Sequence, residues 1–99
     1  MSAPTELTSA LCIDASHPSL PGHFPGRPVV PGVVLLDAIA ATIERAGHGY
    51  FARIGTVKFL APLGPGEAAA LHVAIVDQRV RFHIDASGRT ILAGEGQLA

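Results

Sequence analysis

Tryptophan is absent from this 99-residue chain, lysine occurs once (Lys58) and cysteine once (Cys12). Seven Lys and Arg against eight Asp and Glu leave a formal charge of −1, and the arginines are scattered along the chain. Nothing here neutralises a phosphate backbone, so a nucleic-acid partner is not expected. A lone cysteine closes no intramolecular disulfide, and Cys12 reads as a small buried hydrophobe. No apolar run approaches the ~18 residues of a membrane span. The opening stretch MSAPTELTSALCI has no basic segment followed by an apolar one, so no signal peptide is expected and a cytoplasmic location is. Charged residues are scarce too, at 15%, while 48% of the chain is hydrophobic. Residues 1–99 make one domain with no room for a second. An apolar domain this small is expected to place its surplus apolar surface in an oligomer interface.

What the chain does have is concentrated in residues 17–37, HPSLPGHFPGRPVVPGVVLLD. Pro21, Gly22, Pro25, Gly26, Pro28, Pro31 and Gly32 describe a loop held in one irregular path, because proline fixes φ and restricts its predecessor while glycine admits shapes closed to other residues. The loop presents His23, then enters an apolar segment whose one charge is Asp37. A rigid irregular loop offering a titratable group beside a helix start is a common form of binding or catalytic site. His17, earlier in the loop, reads as a residue that holds its shape.

The remaining pattern is simple. Residues 8–14 suggest a first strand. After the loop, VVLLDAIAATIERAG predicts a helix from about Val33, closed by Gly47, and apolar enough on all sides to be buried. Residues 50–60 read as a strand, Leu63 to Gly66 as a turn, and residues 68–76, 80–86 and 90–98 as further strands, with a tight turn at Ser87-Gly88. The expected order is one strand, a long loop, one buried helix, then four consecutive antiparallel strands. A curved antiparallel sheet wrapped around the single helix is the simplest α+β arrangement that buries it.

HPSLPGHFPGRPVVPGVVLLDAI resembles the signature of the hot-dog-fold 3-hydroxyacyl-acyl-carrier-protein dehydratases, and VKFLAPLGPGE (residues 57–67) resembles a later segment of the same family. The closest flavour is the short dehydratase-like branch linked to aryl polyene pigments. The resemblance implies a hot-dog fold and dehydration of 3-hydroxyacyl thioesters to trans-2-enoyl thioesters. It assigns His23 as catalytic base and Asp37, fourteen residues on, as its acid partner. Gly32 and Val33 fall where backbone N–H groups face the thioester carbonyl. It also implies that acyl carrier protein is a partner, that no cofactor is needed beyond the carrier's phosphopantetheine arm, and that the site lies at a dimer interface, with His and carboxylate from opposite subunits. The chain departs from that pattern at Ala41, where a Gln usually stands one turn after the carboxylate, and it is shorter than a typical member.

The chemistry suits these residue types. Histidine titrates near neutrality and can take the weakly acidic C2 proton. Expelling hydroxide requires a protonated carboxylic acid, and burial of Asp37 in the apolar helix is expected to favour that neutral form. N–H groups at the helix start would hold enolate-like charge. Blander roles exist: His23 as a loop histidine bonded to a carbonyl, and Asp37 as a charge complementing the helix dipole. Arg27 is a solvated cation or a contact to the acidic carrier protein. Histidines 17, 23, 48, 72 and 83 show no close metal-ligand spacing, so no metal is expected; His83 reads as surface and His72 offers nothing specific. Two other functions stay open. One is a non-catalytic or partner-dependent hot-dog subunit that binds acyl carrier protein, as a homodimer, a higher oligomer or a heterodimer with another dehydratase-like chain. The other is a hot-dog thioesterase.

Overall fold

The structure, a computed structural model, describes residues 3–14 and 29–99. Five strands and one helix follow the order β1 (Thr5–Leu11), α1 (Gly32–Arg45), β2 (Phe51–Phe59), β3 (Ala69–Val76), β4 (Arg79–Ala86) and β5 (Arg89–Leu98). The strands form one antiparallel sheet in the order β1-β3-β4-β5-β2. This bears out the expectation of an α+β fold with one helix against an antiparallel sheet.

Two expectations near the first strand need correction. The first strand lies at Thr5–Leu11 rather than 8–14. Thr5 and Glu6 are polar and exposed, and pairing with β3, from Thr5 opposite Ile75 to Leu11 opposite Ala69, sets the limits. Cys12 follows that strand and is exposed, not buried. The four later strands follow the helix in the expected order and are antiparallel; in the sheet β3, β4 and β5 form a meander, whereas β2 pairs with the far side of β5. The segment 60–68 between β2 and β3 carries the chain across the sheet to reach β1, a distance a hairpin turn cannot cover.

Helix α1 starts at Pro31, an N-cap at φ −60° and ψ 142°, and ends in a Schellman turn. The His48 N–H donates to the Ile43 carbonyl (3.2 Å) and the Gly47 N–H to the Glu44 carbonyl (3.0 Å), with Gly47 at φ 81°. Val34, Leu35, Ile39 and Ile43 are the helix's buried stripe. They meet the inner sheet face, where Leu71, Val73, Val80, Phe82, Ile84 and Leu92 are buried. Each large aliphatic side chain buried this way contributes roughly 1.5–3 kcal/mol relative to exposure. Among the described residues nothing buries the other side of the helix: Val33 is 62% exposed, and Asp37 and Glu44 are exposed. The helix is therefore half-buried in the single chain, not buried all round.

Curvature is built into the β2–β5 pair. Its register shifts twice, between Phe51 and Arg53 and between Ile54 and Val57, the bulge pattern by which a sheet bends. Gly96 sits opposite Ile54 at one of these shifts, and a Cβ there would lie 2.6 Å from the Arg53 carbonyl oxygen. Since the obstacle is backbone, Gly96→Ala is expected to destabilise the protein by about 1–3 kcal/mol, the usual cost of overpacking. Urea denaturation followed by circular dichroism measures this; an unchanged midpoint would contradict the role given to Gly96.

Candidate functional site

The start of α1 is held by a short chain of bonds. The Val30 N–H donates to the Leu63 carbonyl at 2.8 Å, fixing the residue just before the N-cap to the β2–β3 connection. Both Val30 and Leu63 are buried. That connection is fixed in turn by a bidentate pair. Arg89 donates from Nη1 to Glu67 Oε2 at 2.8 Å and from Nη2 to Glu67 Oε1 at 2.9 Å. Arg89 also donates to the carbonyls of Pro62 (2.8 Å) and Ala86 (3.2 Å). Glu67 accepts further from the Gly64 N–H and the Ser87 hydroxyl, each at 3.1 Å. The Arg89 guanidinium, foremost, and the Gly64 N–H hold the Glu67 carboxyl down at about 2. The same pairing raises Arg89 further above its usual value. Neither residue stood out in the sequence, because the partners are 22 positions apart and meet only once the β4–β5 hairpin forms.

The first helical turn lies in a groove of about 410 Å³ lined by Pro31, Gly32, Leu35, Phe59, Leu60 and Pro62, among others. The Val34 N–H is taken up by the Pro31 carbonyl at 3.0 Å. Among the described residues, no carbonyl accepts from the N–H groups of Gly32 or Val33, the two donors expected to face a thioester oxygen. Gly32 is a close-approach position: a Cβ there would lie 2.5 Å from Phe59 Cε1. Phe59 itself is 57% exposed, so its ring covers the helix start from outside the core.

Asp37 stands one turn after Val33, on the same uncovered helix face. It makes no hydrogen bond or ion pair among the described residues, and it is exposed. The apolar burial expected for it is not supplied by its own helix and sheet. A helix contacted by one sheet buries one stripe only, and Asp37 lies on the other. Gly32, Val33 and Asp37 thus share the first two turns of α1. His23, His17 and Arg27 lie outside the described residues.

The ApeI-like family model, described as ApeI dehydratase, matches residues 1–95. The chain belongs to the ApeI-like dehydratase family. Among curated relatives, the 3-hydroxyacyl-acyl-carrier-protein dehydratase FabZ of Rhizobium rhizogenes is 36% identical over 86 residues, covering 75% of this chain and 55% of its own. FabZ of Agrobacterium fabrum is 32% identical over 98 residues, covering 87% of this chain and 64% of its own. The chain spans somewhat over half the length of these relatives. Among solved structures, the dehydratase heterocomplex ApeI:P from Xenorhabdus doucetiae superposes with a TM-score of 0.85 at 28% identity, covering 95% of this chain and 87% of that one. An uncharacterised protein from Erwinia carotovora subsp. atroseptica gives a TM-score of 0.85 at 25% identity, covering 100% and 86%. The hot-dog fold expected from the loop motif is borne out. No helix among the described residues is long and apolar enough to cross a membrane.

The clamp behind the site has a pH signature. The Glu67 carboxyl is depressed from its ordinary 4.5 to about 2 in the folded protein. Its contribution to stability is therefore full above about 4.5 and lost as pH falls from there toward 2. Glu67→Gln is expected to flatten the loss of thermal stability across that window, which melting curves at pH 2–6 measure; an unchanged slope would show that the pair contributes nothing there.

Proposed function

We propose that this protein dehydrates 3-hydroxyacyl thioesters on acyl carrier protein to trans-2-enoyl thioesters, at a site shared between two subunits. The observation that carries this reading is the ApeI-like dehydratase match over residues 1–95, which includes the HFPG loop and the helix bearing Asp37. His23 is the base: it takes a proton from C2 of the substrate. The electron pair left behind spreads onto the thioester oxygen, where the N–H groups of Gly32 and Val33 donate to it at the positive end of the helix. Asp37, protonated, gives its proton to the 3-hydroxyl group, which leaves as water while the C2–C3 double bond forms. Transfer of the proton from His23 back to Asp37 resets the pair. An elimination activated by a thioester needs no resident cofactor, the phosphopantetheine arm being part of the substrate. Arg27, in the same loop, is a candidate contact for the acidic carrier, and a cytoplasmic setting fits a carrier-bound substrate.

The need for a second subunit rests on the uncovered half of α1. Val33 and Asp37 on the helix, with Phe59 (57%) and Leu60 (58%) at the end of β2, are exposed together. Among the described residues β2 is also an edge strand of the sheet, a surface that proteins normally pair or cover. An acid that rests protonated needs dry surroundings, and a second subunit over this face would supply them. A heterodimeric version of this reading is supported by the structural likeness to the ApeI:P heterocomplex and by Ala41 in place of the usual Gln.

Purified protein is expected to form enoyl product from 3-hydroxyacyl carrier substrates, with His23→Ala and Asp37→Asn each lowering the rate by at least about 10²-fold, the lower range for a general acid or base. Full activity in His23→Ala would sink the assignment, and thiol release without enoyl formation would mark a thioesterase instead. Light scattering after size exclusion is expected to find two chains or more per particle in the active form; an active monomer would contradict the shared site.

A further inference from the structure

The outer face of the sheet, turned away from α1, holds a second group of residues that can do chemistry. The β3–β4 hairpin turns at Asp77-Gln78, so His72 and His83 face each other across the strands, and Asp85 follows two residues after His83 on the same face. Their separation of eleven positions hid this in the sequence. The two imidazoles stack with centroids 4.4 Å apart and planes 14° from parallel. Both rings direct Nε2 at the same carboxylate oxygen: His72 Nε2 lies 3.6 Å and His83 Nε2 3.3 Å from Asp85 Oδ2. One donor atom from each of the three residues lies within 4.8 Å of the others.

We propose that His72, His83 and Asp85 form a binding site for one divalent cation of the zinc class, independent of the dehydratase site. Zinc binds nitrogen and carboxylate oxygen at about 2.0–2.2 Å, so two donors in a tetrahedral shell stand ~3.3 Å apart. The two nitrogen-to-oxygen separations are already close to that value. The side chains are 36%, 47% and 40% exposed, in the order His72, His83, Asp85, which gives the two stacked rings room to turn and bring their nitrogens together on one ion. Two imidazoles and a carboxylate without a thiolate suit Zn²⁺, Ni²⁺ or Cu²⁺ rather than the all-oxygen shells of Mg²⁺ and Ca²⁺. Three protein donors leave a fourth position to water, and the group sits in a concavity of about 720 Å³ with room for it. Glu6 on β1 and Arg81 on β4 are the other charged residues lining this concavity, and their formal charges cancel.

The test is a titration of the chelator-stripped protein with Zn²⁺ in competition with a chromogenic chelator, repeated with Co²⁺ as a spectroscopic probe. The expected result is one Zn²⁺ per chain and visible Co²⁺ absorption bands. His83→Ala and, separately, His72→Gln should weaken binding by at least about tenfold, the lower end of what removing even an outer-shell partner costs, and should abolish the bands. His48→Ala should change neither. His72 and His83 are on the outer strand surface and His48 is in the exposed turn after α1, and melting curves without metal check that each variant folds. Binding of less than one ion per chain overturns the proposal, and so does unchanged affinity in both histidine variants. Binding removed by His23→Ala instead overturns it as well and would place the ion in the dehydratase loop.

Discussion

One sheet covers only one side of one helix, and most of this structure follows from that limit. Val34, Leu35, Ile39 and Ile43 occupy the covered stripe and are buried in the core. Val33 and Asp37 are left on the other side, exposed. A chain with 48% hydrophobic and 15% charged residues has few means of keeping such a face in water. The apolar excess noted in the composition thus has an address: the outer half of α1 and the adjoining end of β2, with Phe59 and Leu60. The proposed acid stands in the middle of that face, which ties assembly and chemistry to one surface.

The rest of the fold works as support for the first turn of that helix. Arg89 and Glu67 join the β4–β5 hairpin to the β2–β3 connection. The connection holds Val30 through Leu63, and Val30 leads through Pro31 into Gly32. Each link is short and made by backbone or by charge-assisted bonds, the kind that fix position well. The bulges of β2 bend the sheet so that Phe59 reaches over Gly32. The oxyanion position proposed at two backbone N–H groups needs such support, since backbone donors have no rotamers to adjust.

The helix, the three C-terminal strands and the loop motif were legible because they depend on local pattern: the period of two in Val80, Phe82 and Ile84, the Gly47 stop, the HFPG sequence. What depends on long-range pairing was not. Nothing local tells β2 to join β5 rather than β3, nor His72 to face His83, nor Arg89 to reach Glu67. Thr5 and Glu6 are polar and exposed, so nothing local marks them as the start of β1; pairing with β3 does. Asp37 was expected to be buried because the residues around it are apolar, but burial of a helical residue depends on which face it occupies and on what covers that face. Here the sheet packs on the other face, and Asp37 is exposed.

Mixing two inactive variants tests most directly the proposal that His23 of one subunit works with Asp37 of another. Each site of a homodimer would take one residue from each chain, so His23→Ala chains paired with Asp37→Asn chains would carry one intact site and one doubly defective site. Random pairing makes about half the dimers mixed, and one site in two is then whole. Unfolding and refolding the two variants together is expected to restore about a quarter of the wild-type rate of enoyl formation. A mixture that exchanges subunits and stays as inactive as its components would contradict it.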